Sequence, residues 1–481
     1  MYGIVAYGAH IPRYRMSRKA IFEQWGWFNP VTASVARGEK AVANYDEDTI
    51  TMSVAAAINC LSDKNRASVK GLYLSSVSFP YAERQSAPIV SSALNLGQGI
   101  RSADFSNTLK SGTTALLAAL DAAKSGEDIL VCAADCRMGK PGSIQEHTYG
   151  DGAAALLVGS KNVIAEFKGS YTVTKDFIDF RRLPQEKYVH GWEDRWVRDE
   201  GYTKTIAEAA MGLIKKYNLV AVDISKFVIA CPYADVLRGL GKKWGVDAEK
   251  IQDNLMAGIG DTGTALPLMM FIAALENAKP GDTILVLGYG NGCDALYFEV
   301  TGEIEKVKPG LKGIQQSSTS KKEMKIYAKY LAFKDLIDVE VGIRGEDLPP
   351  IPMSVLWREG NTIAALVGSK CKACGTPQYP KQRICVNPKC GAVDQMEEYS
   401  FSDKIGTIVS FTGDNLAFCW DPPQVYAVID FKDGGRLLLD LTDCSLESIK
   451  IGMPVSMTFR RKMKDIRRAN YTYYWKAVPV E

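Results

Sequence analysis

The chain has 481 residues, 46% of them apolar and 23% charged, with a net charge of +3 at neutral pH. That length exceeds what one hydrophobic core organises, so two or three domains are expected. A charge so close to balance excludes general affinity for nucleic acid or for an anionic membrane. The opening residues, MYGIVAYGAHIPRYR, lack the basic start and unbroken apolar stretch of a secretory signal. No apolar run approaches the roughly 18 residues that cross a bilayer. Four of the eleven cysteines cluster between Cys371 and Cys390, which points to a metal and reduced thiols, and hence to the cytoplasm.

Along the first three hundred residues strand-like and helix-like segments alternate, the pattern of an α/β protein. Gly3–Tyr7 reads as a strand and Asp48–Leu61 as a helix with Asp48 near its start. Val69–Ser75 and Asp128–Ala133 read as buried strands, the second following a helix over Thr113–Ala123; Ala153–Gly159 is a further apolar strand. A second cycle follows: helix Thr205–Tyr217, strand Lys226–Ala230, helix Ala265–Ala278, strand Thr283–Gly288. SGEDILVCAAD in the first cycle is echoed by PGDTILVLGYG in the second, a weak repeat that suggests two similar halves.

Residues 308–322 turn polar and rich in Gly and Ser, a loop or linker, and a helix is expected over Glu323–Phe333. Pro349, Pro350 and Pro352 then form a stiff connector. Beyond it, Cys371-Lys-Ala-Cys374 and Cys385-x-x-x-x-Cys390 have the spacing of two knuckles closing a tetrahedron of thiolates around zinc. Gly375 and Gly391 follow the second cysteine of each pair, where a knuckle needs positive φ. Four thiolates leave no open position, so the zinc is structural. Five short segments after it (Gly406–Thr412, Val425–Phe431, Arg436–Leu441, Val455–Phe459 and Tyr471–Pro479) suggest an OB-type barrel. The basic run Arg460, Arg461, Lys462, Lys464, Arg467 and Arg468 reads as a clamp for coenzyme A phosphates, a nucleic-acid groove or a solvated loop; an enzyme-like body favours the coenzyme.

GIVAYGAHIPRYR (3–15), GEKAVANYDEDTITMSVAAA (38–57), RRLPQEKYVHGWEDRW (181–196) and GDTGTALPLMMFIAALENAKPGDTILVLGYGNG (260–292) resemble archaeal-type 3-hydroxy-3-methylglutaryl-CoA synthases, from residue 1 to about 345. The remainder resembles the zinc-ribbon and OB-fold proteins that accompany such enzymes as separate subunits. The resemblance implies a duplicated five-layer α-β-α-β-α thiolase fold, usually dimeric, with a CoA tunnel. The expected division is 1–165 and 166–345 for the two halves, 346–398 for linker and ribbon, and 399–481 for the barrel.

The family implies a cysteine nucleophile, a glutamate acid/base and a histidine, and this chain departs from it at all three. Leu109 stands for the thiol in Thr108-Leu109-Lys110-Ser111-Gly112-Thr113, Val77 for the glutamate and Ala230 for the histidine. Leucine has no nucleophilic atom, so no acyl-enzyme forms there. Aldol or retro-aldol chemistry on a β-hydroxyacyl-CoA needs no covalent step, only a base and an oxyanion hole. Thiolase-fold proteins paired with zinc-ribbon/OB partners act as such aldolases, with tyrosine as base. The candidates here are Tyr233 with Asp235 as a proton shuttle, Asp261 as base or merely a helix cap, His147, and Asn291 as oxyanion donor beside the Gly-rich turn. Cys231 and Cys293 are weaker candidates, as replacement thiols. Leu109, Lys110, Val77 and Ala230 are expected against the acyl-CoA, and Arg238, Lys242 and Lys243 against its phosphates. A divergent synthase-like condensing enzyme or acyltransferase, and a non-catalytic CoA-binding scaffold, are the alternatives. A homodimer through the body is expected, with a further enzyme of the same pathway as a possible partner.

Overall fold

A computed structural model describes residues 1–61, 66–342 and 350–480. Pro349, the first of the connector prolines, lies outside the described residues. The chain forms two units: 1–44, 48–90 and 96–330 make the first, and 45–47, 91–95 and 331–481 the second.

The first unit is built on a nine-stranded sheet whose strands are β1 (Gly3–His10), β2 (Val69–Ser75), β3 (Arg101–Phe105), β4 (Asp128–Asp135), β5 (Gly152–Gly159), β6 (Ala165–Thr174), β7 (Lys226–Ile229), β8 (Thr283–Tyr289) and β9 (Gly292–Val300). Their spatial order is 7-8-9-6-1-5-4-2-3. The run β2-β4-β5-β1 is repeated by β7-β8-β9-β6, each with one parallel pair followed by antiparallel pairs. The faint sequence echo between β4 and β8 is therefore a duplicated topology.

Among the described residues, the longest helices of this unit are α1 (Thr49–Leu61), α2 (Ser111–Ala123), α3 (Lys204–Lys216), α4 (Ala234–Trp244) and α5 (Leu266–Asn277). Every residue of α5 from Leu266 to Leu275 is buried. A helix apolar all round belongs inside a protein, and α5 shares one hydrophobic core with α2. Asp48 caps α1, accepting from the Ile50 and Thr51 amides at 3.0 and 2.9 Å. The segment expected to be helical from Glu323 begins its helix only at Tyr327, because Lys322–Glu323 pairs as a strand with Tyr14–Ser17.

The second unit holds a three-stranded ribbon sheet, β10 (Val367–Cys371), β11 (Pro377–Gln378) and β12 (Met396–Ser400), in the order 11-10-12. A five-stranded sheet follows: β13 (Gly406–Asp414), β14 (Gln424–Phe431), β15 (Arg436–Asp440), β16 (Pro454–Asp465) and β17 (Asn470–Pro479), in the order 15-14-13-16-17. The basic run falls on β16 and the turn after it, and most of it is paired internally. Arg460 is 3% exposed and meets Asp46, Glu47 and Asp443; Arg461 donates to the Tyr45 carbonyl; Lys464 and Arg468 meet Asp335 and Asp465. The phosphate-clamp expectation is corrected on this point: a guanidinium enclosed by three carboxylates is a structural ion-pair centre.

Candidate active site

The C-terminal ends of β2, β4 and β8 meet at the start of α2, on the side where an open α/β sheet places its ligands. Leu109 sits half-buried just before Lys110, the N-terminal flanking residue of α2. The turn after β8 presses against it: a Cβ on Gly290 would come within 2.5 Å of the Lys110 amide nitrogen and 2.8 Å of that of Leu109. Only glycine allows that approach. Lys110 turns inward, its Nζ 3.1 Å from Asp294, which also accepts from Thr113, Thr114 and Thr172 at 2.8–3.0 Å. An ammonium so engaged holds the loop down rather than reaching for a phosphate.

Val77 lies in a loop organised by the buried Asp135. One Asp135 oxygen accepts from Ser76 Oγ (2.8 Å), the Val77 amide (2.9 Å) and Ser78 Oγ (2.6 Å); the other accepts from the Thr264 amide (2.8 Å). Two residues on, Arg137 is a buried guanidinium, its side chain 1% exposed. Its Nη1 meets Asp261 at 2.9 Å, its Nη2 donates to the Tyr149 hydroxyl at 2.9 Å, and its plane lies 3.9 Å from the centre of that ring. Arg137 runs along Gly263, and the Thr264 carbonyl abuts Gly112 in the first turn of α2. These contacts tie the guanidinium to the loop that carries Leu109.

Asp261 is ion-paired, and its second oxygen accepts from the Gly263 amide at 2.9 Å. The cap alternative describes this geometry better than an isolated base does. Tyr233 flanks the start of α4 and donates to Asp194 at 2.7 Å; the partner is not Asp235, which faces Arg198 at 3.9 Å. Burial, then Asp194, raises the Tyr233 phenol above its ordinary value. Tyr202 joins this group, packed edge-on to Tyr233 and stacked on Tyr289 at 3.9 Å. Ala230 is buried at the end of β7 beside Cys231, whose thiol burial pushes up, away from the reactive thiolate. Cys293 is likewise buried and its thiol raised. Asn291 gives its amide to the Phe177 carbonyl at 3.1 Å.

His147 lies elsewhere. Its Nδ1 meets the Ser143 carbonyl at 2.9 Å, and its charged surroundings are Lys40 and Arg18 rather than Asp261. Arg238, Lys242 and Lys243 are exposed along α4, and Lys243 lines a cleft of about 350 Å³ with Arg198, Asp199 and Asp235. Arg137, Tyr149, Asp135 and Asp294 escaped the sequence reading. The one signal for Arg137 was its place just past the apolar strand DILVCAAD.

In the ribbon, the Sγ atoms of Cys371, Cys374, Cys385 and Cys390 all lie within 4.8 Å of one another, two pairs at 3.5 and 3.9 Å. Thiolates around tetrahedral zinc stand about 3.8 Å apart, given zinc–sulfur bonds near 2.3 Å, so the residues fit the ion. The Thr376 hydroxyl lies 3.2 Å from the Cys374 Sγ. Gly375 and Gly391 have φ of +75° and +58°, as the knuckles require. No helix among the described residues is long and apolar enough to cross a membrane.

Residues 365–397 match the family model described as "ChsH2, rubredoxin-like zinc ribbon domain", and residues 400–460 that described as "ChsH2, C-terminal OB-fold domain". The body is similar to the hydroxymethylglutaryl-CoA synthase of Methanopyrus kandleri, 34% identical over 64% of this chain and 89% of that protein. That of Methanobrevibacter smithii is 33% identical over 70% of this chain and 99% of its own length. Among solved structures, an HMG-CoA synthase complexed with CoA superposes with a TM-score of 0.63 at 18% identity, covering 73% of this chain and 95% of that one. The 3-oxoacyl-(acyl carrier protein) synthase III of Pseudomonas aeruginosa gives 0.56 at 14% identity, over 62% and 98%. Its C-terminal ribbon and barrel match the ChsH2 domain models, and through its body, 33–34% identical to these synthases over most of their length, the chain belongs to the hydroxymethylglutaryl-CoA synthase family.

Proposed function

We propose that this thiolase-superfamily enzyme makes or breaks a carbon–carbon bond in a β-hydroxyacyl-CoA without an acyl-enzyme. The carrying observation is Leu109 at the start of α2, where the resemblance places the attacking thiol, beside the Lys110–Asp294 pair. In the cleavage direction, Tyr233 takes the β-hydroxyl proton as it passes its own to the Asp194 carboxylate, and the α–β bond breaks. Its electrons form the thioester enolate, the β-carbon becomes a carbonyl, and the enolate is reprotonated at the α-carbon. Arg238, Lys242 and Lys243 meet the coenzyme phosphates, zinc holds the ribbon, and two copies pair through the body.

The family relationship favours a second reading, a divergent synthase-like condensing enzyme that is acylated elsewhere. Incubation with acetyl-CoA, acetoacetyl-CoA and 3-hydroxy-3-methylglutaryl-CoA, followed by intact-mass spectrometry, separates the two. The lyase leaves the protein mass unchanged while thioester products accumulate; an adduct on any cysteine overturns it in favour of the synthase-like reading. CoA binding with no turnover of any thioester favours a scaffold.

A further inference from the structure

Among the buried hydrogen-bond donors of the body that lack acceptors, two belong to residues in direct contact, Arg137 and Tyr149. Arg137 Nε is buried with no partner. The Tyr149 hydroxyl, on a residue 3% exposed, accepts from Arg137 Nη2. A guanidinium carries no acceptor, so the phenol's own hydrogen has no taker among the described residues. A buried donor left unsatisfied is costly, and two on stacked groups are a preorganised arrangement awaiting an acceptor. Asn291, the donor expected from the sequence, is engaged with Phe177.

The geometry points to Tyr149 and Arg137 as the oxyanion site of this body, donating to the oxygen of a thioester enolate. This rests on the reading that the body handles acyl-CoA thioesters, and it assigns the group that stabilises the intermediate. The charges agree with a transient oxyanion rather than a resident anion. Asp261 neutralises Arg137, and Asp135 is close by, so phosphate or a free carboxylate meets no net positive field. Developing charge on an enolate oxygen needs directed donors more than it needs a cation. Burial holds the Tyr149 phenol above its ordinary value even against the pull of Arg137. The hydroxyl therefore keeps its hydrogen at neutral pH and serves as donor.

Acetoacetyl-CoA tests this without turnover, because its enolate absorbs in the near ultraviolet. When it enolises, an α-carbon–hydrogen bond breaks, the proton passes to water or to a site base, and the electron pair delocalises onto oxygen. The full-length protein is titrated with pH at saturating acetoacetyl-CoA, with binding followed separately by equilibrium dialysis. Expected is an enolate midpoint at least tenfold in proton concentration on the acid side of that for the free thioester, the order of one oxyanion donor. Tyr149→Phe, which keeps the ring stacked on Arg137, should lose most of the shift while still binding the thioester. Arg137→Lys should retain part of the shift. A wild-type midpoint equal to the free value, or a shift undiminished by Tyr149→Phe, overturns this assignment and leaves the acyl-CoA reading standing. Failure of the wild type to bind acetoacetyl-CoA overturns both.

Discussion

Arg137 in the first unit and Arg460 in the second are both guanidiniums removed from water, yet their surroundings differ in kind. Arg460 meets Asp46, Glu47 and Asp443, and its Nε reaches Thr458 Oγ1 at 3.3 Å. Lys476 adds a second cation, 2.8 Å from Asp46 and 3.1 Å from the Tyr45 hydroxyl. Arg137 has one carboxylate, one phenol and an idle Nε. Buried polar groups are normally satisfied, so the complete set around Arg460 marks a centre that holds the fold, whereas the set around Arg137 leaves it a donor to give.

The largest effect that sharpens this contrast comes from the metal, not from a charge. Stripping zinc with a chelator should unfold the ribbon, a loss on the order of 10 kcal/mol, followed by loss of near-ultraviolet dichroism. It shows how much of the second unit stands on metal alone. Arg460→Ala should cost about 3–5 kcal/mol, because Asp46, Glu47 and Asp443 lose the buried guanidinium they share; denaturant unfolding monitored in the C-terminal unit measures it. Arg137→Gln should cost less, about 1–3 kcal/mol, since the amide still donates and only Asp261 loses an ionic partner. Should Arg137→Gln prove as damaging as Arg460→Ala with the enolate signal intact, the contrast between the two sites collapses.

His147 gives a smaller, pH-dependent effect. Burial, reinforced by Lys40 and Arg18, lowers its folded pKa below the ordinary value near 6.5. The unfolded chain therefore binds the proton first as pH falls, and stability is lost below about 6.5. His147→Phe should flatten that acid limb, read as the pH dependence of the unfolding midpoint. Smallest is Asp48→Ala, which removes the cap of α1 at a cost of about 1 kcal/mol.

The strands, the central helices and the zinc ligands were legible because each is set by local pattern: apolar runs, the period of a helix, cysteine spacing. The duplication showed through two strands, DILVCAAD and TILVLGYG, since buried strands tolerate few residue types. The polar centres were not legible, because their partners lie far apart in sequence. Arg137 and Asp261 are 124 residues apart, and Arg460 and Asp46 are 414. Read locally, the run from Arg460 to Arg468 is a basic surface; only the fold supplies the acids that enclose it. Tyr233 was singled out with Asp235, its neighbour along the chain, whereas its hydroxyl faces Asp194 across a loop.

Because Tyr45, Asp46 and Glu47 are built into the C-terminal unit, that unit is a mosaic of distant stretches of polypeptide. A truncated fragment beginning after the proline connector would carry the ribbon and every barrel strand, yet strand Lys476 and deprive Arg460 of two of its three acids. Supplying a peptide spanning residues 38–57 to such a fragment should restore its cooperative melting. The ribbon and barrel would in that case depend, for a single cooperative fold, on residues that lie about three hundred positions before them.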